Sequence, residues 1–162
     1  MKIFLSLLAL SLPALATAKS PTACEKYLTC GVYEGSGSYR TPDGQELGSF
    51  FEKVTISSTS ESEARMVIYV RGKNSGGSTF ELDITFSQGG AFLMTQHGRL
   101  YATGICGLGV CTYGMIPFLN GASEVTVANA GFMRFTAKGL ERHMLSEAVD
   151  GRQVQLSVLE RR

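Results

Sequence analysis

The chain predicts an all-β protein: an antiparallel meander of roughly 8–11 strands closed into a barrel, with a short N-terminal helix. Three observations carry this expectation. Apolar and polar residues alternate at period two along several segments. Turn signals built from Gly, Asn, Asp and Pro recur about every 8–12 residues. The intervals between them are too short for the crossover helices that parallel strands require. One-sided alternation on many strands needs a face-packed or closed architecture. Closure also removes exposed strand edges, which favours a barrel over a sandwich.

The elements follow in chain order. The opening MKIFLSLLALSLPALATA carries Lys2, an apolar run from Ile3, and small residues at Ala16-Thr17-Ala18. That is the pattern of a secretory signal peptide over residues 1–18, cleaved before Lys19, leaving 19–162 as one domain. The run is too short for a membrane anchor, and no later stretch approaches the roughly 20 apolar residues of a helical span. Pro21-Thr22-Ala23 suits a lipidation signal on Cys24 poorly. The expected location is therefore exported, periplasmic or extracellular. Ser20 to Thr29 follows, with an N-cap candidate, Pro21 at the first helical position and Gly31 as a stop. It predicts a short helix that can plug one end of a barrel.

Strands come next. Tyr33 to Tyr39 is glycine-rich, and Gly35-Ser36-Gly37 predicts a bend in the first strand where the barrel closes. Phe50, Val54 and Ile56 share a face interrupted by Glu52. Ala64, Met66, Ile68 and Val70 alternate with charged and aromatic residues, broken only by Val67. Phe80, Leu82, Ile84 and Phe86 alternate strictly with polar residues. Val154, Leu156 and Val158 alternate with Gln153, Gln155 and Ser157. Turns are expected at Thr41 to Gly44, Ser58 to Ser62, Lys73 to Ser78, Gln88 to Gly90, His97-Gly98, Gly107 to Gly109, Asn120-Gly121, Ala130-Gly131, Lys138-Gly139 and Asp150-Gly151.

All four cysteines, Cys24, Cys30, Cys106 and Cys111, lie beyond the leader. An even number in an exported chain predicts two disulfides. Five and four residues separate the pairs, and only His97 and His143 stand beside them, so the set does not resemble a zinc site. No C-x-x-C redox motif is present. A hairpin loop brings Cys106 and Cys111 opposite each other naturally. Cys24 and Cys30 pair locally only if the helix ends early, because a continuous helix would separate their Cα atoms by about 9 Å. If His97-Gly98 is a turn, the Cys106–Cys111 loop is the sixth connection and lies at the helix end of the barrel, which leaves crossed pairs open. Two local bridges are favoured.

Charge and motif exclude several functions. The chain has 15 basic and 14 acidic residues, and without Lys2 the balance is zero. That offers no footprint for nucleic acid and no polybasic stripe for anionic lipid. His97 reads as a turn residue and His143 as a strand residue, neither beside a nucleophile. No G-x-S-x-G is present, and Gly35-Ser36-Gly37 lacks the helix and Lys of a phosphate loop. The expectation is no catalytic site, no metal and no cofactor. Glu52 and Glu34 interrupt apolar or small-residue faces. They suit acid–base chemistry or a cationic ligand, or else a rim position or pairing with an Arg such as Arg99.

The order of leader, short helix, glycine-rich first strand Tyr33-Glu34-Gly35-Ser36-Gly37-Ser38-Tyr39 and antiparallel meander ending after Asp150-Gly151-Arg152 resembles the calycin group, the lipocalin-like barrels. The usual first-strand Trp is absent; Gly31 is followed by Val32 and Tyr33. The resemblance implies a barrel open at one end that binds a small apolar or amphipathic molecule. Candidate ligand-contacting residues on the alternating faces are Met66, Ile68, Phe80, Ile84, Phe86, Phe92, Tyr101 and Tyr113. The alternative is an exported protein-binding or inhibitor domain. It would engage an envelope or extracellular protein through loops such as Arg71 to Ser78.

Overall fold

The computed structural model describes residues 20–115, 128–148 and 151–162. The expected leader over 1–18, the Asn120-Gly121 turn and Asp150 lie outside the described residues. The chain runs α1 (Ala23–Lys26), β1 (Gly31–Arg40), β2 (Glu46–Ser58), β3 (Glu63–Gly72), β4 (Gly77–Phe86), β5 (Ala91–Gln96), β6 (Arg99–Gly107), β7 (Val110–Met115), β8 (Ala128–Phe135), β9 (Gly139–Ala148) and β10 (Gly151–Arg161). The ten strands form a closed antiparallel barrel in which each pairs with its chain neighbours and β1 pairs with β10. This agrees with the expected architecture and strand number, and it is consistent with a calycin-like barrel.

Closure depends on the glycines of β1. A Cβ at Gly35 would collide with the carbonyl of Val158 on β10, and one at Gly37 with the Phe50 ring on β2. Bare backbone there lets β10 and Phe50 approach the seam.

The even-numbered turns gather at one end of the barrel with the start of β1, and α1 seals that end. The helix is shorter than expected. Its N-cap is Thr22 rather than Ser20, and it stops at Lys26. The Glu25 carboxylate accepts from the Thr22 amide at 2.6 Å, which anchors the first turn. Ala23 donates its amide to the Ser60 carbonyl at 3.1 Å. Tyr27 stacks on Phe86 with centroids 4.5 Å apart. Tyr33 donates its hydroxyl to the Thr29 carbonyl at 2.7 Å. Ala23 and Leu28 are thereby buried against the barrel floor.

Both disulfides are local. Because α1 ends early, Cys24 and Cys30 have Cα atoms only 5.3 Å apart. Cys106 and Cys111 are direct cross-strand partners with Cα atoms 4.0 Å apart. The turn between them places Leu108 at φ 51° and Gly109 at φ 78°, the left-handed pair of a two-residue hairpin.

One expected turn is not a turn, and another is shorter than expected. Ala130-Gly131 is interior to β8. Gly131 is small because a Cβ would meet the His143 carbonyl and, at 2.8 Å, the Tyr113 hydroxyl, so it marks a close approach between strands. The Lys73–Ser78 loop shrinks to a four-residue connection, since Arg71 pairs with Gly77 and Val70 with Ser78. Ser and Gly weaken a strand signal without preventing ladder pairing.

Alternation alone does not state which set faces inward. On β10 it is the polar set: Ser157 and Leu159 are buried, Gln155 lines a cavity, and Val158 is exposed. A one-residue change of register would exchange the faces. The observed register places Ser157 opposite both Gly37 and Arg142.

Candidate functional site

The barrel interior has two zones. Toward α1 it is filled. Ile84, Phe86 and Phe92 are buried in this zone, with Phe86 and Phe92 centroids 5.7 Å apart. Three of the eight candidate ligand residues are thus part of the packed floor. Toward the other end the interior opens into a cavity of about 360 Å³. Its walls include Tyr39, Ile68, Val70, Phe80, Leu82 and Tyr101. Its rim is the β3–β4 connection around Ser75-Gly76. Phe80 shares the inward parity of Leu82 but sits at this rim, 39% exposed.

A smaller cavity of about 30 Å³ adjoins it, with Ile68, Leu82, Tyr101, Arg142 and Met144 common to both walls. Met66 and Tyr113 line this inner space. Every methionine beyond the initiator, Met66, Met94, Met115, Met133 and Met144, also lines it. Thioether side chains are unbranched and polarizable, and they reshape readily around a guest. Burial drives the Tyr113 phenol well above its ordinary value, with the neighbouring Tyr101 adding to the rise. Burial alone raises Tyr101. Both rings stay neutral across the physiological range.

The charged feature of the cavity is an ion pair between Arg142 on β9 and Glu52 on β2. Glu52 interrupts its apolar face because it points into the barrel, where it has no exposed surface. The Arg142 side chain keeps 10% exposure. The pair bridges two strands separated around the barrel by β10 and β1. The residues registered beside it, Ser157 opposite Arg142 and Gly35 opposite Glu52, leave room for the span. Desolvation lowers the Arg142 pKa to about 10, so the guanidinium is charged at neutral pH. Oε2 of Glu52, Nε of Arg142 and Oγ of Ser157 have no hydrogen-bond partner among the described residues.

The other titratable candidates lie outside the barrel. Glu34 faces outward, bound by Lys53 at 2.8 Å and Arg162 at 3.2 Å, and these cations hold its carboxyl below the usual range. Glu34 and Glu52 therefore do not form a carboxylate pair, because adjacent-register positions put them on opposite faces. Arg99 is not the partner of Glu52. Arg142 does not stand out in the sequence because its neighbours Glu141 and His143 are polar too and hide its inward parity. The signal was present in the apolar Leu140 and in Met144, which share its parity. His143 stacks on Phe132 at 4.4 Å, registered opposite it. His97 sits exposed in the β5–β6 turn with φ 50°.

Among the described residues, no cluster of three or more His, Cys, Asp or Glu is placed to hold a metal ion. No described helix is long and apolar enough to cross a membrane. Comparison with protein-family models and with curated proteins finds no match to this chain.

Proposed function

We propose that the protein is an exported, lipocalin-like, non-enzymatic carrier that binds a small amphipathic molecule in the open half of its barrel. The observation that carries this reading is the cavity of about 360 Å³, set in a barrel whose opposite end is packed and plugged. A volume of that order lies in the range of small-molecule sites, which are concave, mainly apolar and supplied with a few convergent polar groups. Met66, Ile68, Phe80, Tyr101 and Tyr113 supply the apolar wall. Ile84, Phe86 and Phe92 support it from the packed floor. The two disulfides suit an oxidising compartment, in keeping with the leader-like first eighteen residues.

Native mass spectrometry tests the reading on the full chain, exported by an expression host to an oxidising compartment and purified without detergent. The expected result is a chain beginning at Lys19 with two disulfides and an adduct lost on denaturation. Saturable, equimolar binding of the neutral dye N-phenyl-1-naphthylamine is expected whether or not the adduct survives purification. Absence of both adduct and dye binding overturns the reading.

One observation favours the alternative, a domain acting through its loops on an envelope or extracellular protein. A cleft of about 500 Å³ lies outside the barrel, between Ser36, Ser49, Phe51 and the Arg71 to Ser75 segment. Stoichiometric capture of such a partner, without dye binding, would select this alternative.

A further inference from the structure

We infer that the ligand carries an uncharged head able both to donate and to accept hydrogen bonds, of the carboxamide class, and that this head docks at the Glu52–Arg142 pair. The inference rests on the carrier reading above and specifies the chemistry of its ligand.

The pair has three properties that bear on a guest. It is electrically closed. Each buried charge is neutralised by the other, Glu52 with no exposed surface and Arg142 with a tenth of its side chain exposed. It is not closed in hydrogen bonding. Nε of Arg142 and Oε2 of Glu52 are buried with no hydrogen-bond partner among the described residues, so a head group that moves the neighbouring side chains aside would supply bonds that both atoms lack. Finally, it stands where the two cavities meet, since Arg142 walls both and Glu52 walls the larger one.

These properties discriminate among head groups. A carboxylate would be drawn to Arg142 but repelled by the adjacent Glu52, and it offers no donor for Oε2. A quaternary ammonium meets the opposite sign problem and offers no hydrogen bond. Either would also bring an uncompensated charge into a desolvated site. A carboxamide presents a carbonyl to the guanidinium and an N–H to the carboxylate without adding charge. Its entry displaces methionine side chains from the inner cavity, which thioethers tolerate. The tail then runs outward past Ile68 and Val70 to Phe80 at the rim.

The test uses the full exported chain and four ten-carbon or aromatic probes: decanamide, decanoate, decyltrimethylammonium and N-phenyl-1-naphthylamine. Displacement of the dye is read by fluorescence and checked by calorimetry. Decanamide is expected to bind about tenfold or more tightly than either charged chain, the scale of an unmade hydrogen bond to a charged group. Equal binding of all three chains, or preference for decanoate, overturns the inference and leaves the carrier reading standing. Failure of the dye and all three chains to bind overturns the inference, and with no adduct on the purified protein it overturns the carrier reading as well. The Glu52→Gln variant adds a charge-specific readout. It leaves Arg142 uncompensated and is expected to move the preference toward decanoate. If the folded variant, checked by circular dichroism, keeps the parent's ranking, the head does not dock at this pair. The comparison on the natural chain decides the matter even if the variant fails to fold.

Discussion

Removing one member of the Glu52–Arg142 pair should destabilise the barrel far more than removing both. In Arg142→Met, the Glu52 carboxylate keeps its burial, with no exposed surface and no remaining cation. In Glu52→Leu, the guanidinium is stranded instead, with a tenth of its side chain in contact with solvent. Breaking a buried pair from one side costs about 3–5 kcal/mol because an unpaired charge remains in a desolvated place. The Glu52→Leu/Arg142→Met double variant removes both charges and adds apolar volume beside the cluster of Met66, Met133 and Met144. Its expected cost is below about 2 kcal/mol, and a net gain is within the range for such replacements. The two single losses would sum to roughly 6–10 kcal/mol, so the coupling is expected to exceed about 4 kcal/mol. Guanidinium chloride unfolding of the oxidised protein, followed by far-ultraviolet circular dichroism, measures all four chains. A double-variant loss equal to the sum of the singles would refute the coupling. Single losses below about 1 kcal/mol would instead place the pair in the solvated class of surface ion pairs.

Three further outcomes follow from the structure. Gly35→Ala should cost about 2 kcal/mol or more, because its Cβ must displace the β10 backbone at Val158 and Leu159, whereas Gly107→Ala, with open space around it, should stay within about 0.5 kcal/mol; thermal melts compare them. Replacing both Cys24 and Cys30 by Ala should cost roughly 2 kcal/mol for so short a closed loop and should speed hydrogen exchange in α1 ahead of the barrel strands; uniform acceleration throughout would contradict a local staple. Alkaline pH should unfold the protein through its buried phenols. Burial raises the Tyr113 pKa above 10.0, so its contribution is complete below that pH and is lost as the unfolded chain ionises above it, at about 1.4 kcal/mol per pH unit. Phenolate absorbance in the near ultraviolet should therefore complete its rise only with unfolding. Full ionisation of the folded protein would show Tyr113 to be accessible.

Much of the fold was legible in the residues themselves. Period-two runs such as Phe80 to Phe86 named a strand and sorted its residues onto two faces, because side chains on a pleated strand alternate by geometry alone. His97-Gly98 and Gly107 to Gly109 named their turns, because the left-handed backbone there favours glycine. The even cysteine count named two bridges. The site was less legible. Glu52 was visible as an interruption, but its partner was not: Arg142 lies 90 positions away and reaches it only because closure brings β9 and β2 near each other across β10 and β1. Ile84, Phe86 and Phe92 looked like cavity residues because a packed floor and a binding wall use the same side chains. Only the position of α1 separates the two uses.

Sequence by itself determined the local quantities: strand periodicity, turn chemistry and the closeness of Cys106 to Cys111. These depend on neighbours a few residues apart, and their physics is backbone geometry. Tertiary structure decided everything that depends on closure. It set the end at which the interior stays open, turned the polar face of β10 inward, and gave Gly131 its role under Tyr113. It also joined Glu52 to Arg142. Those outcomes follow from register around a closed ring, where a shift of one residue inverts a whole face, and no local pattern records that choice.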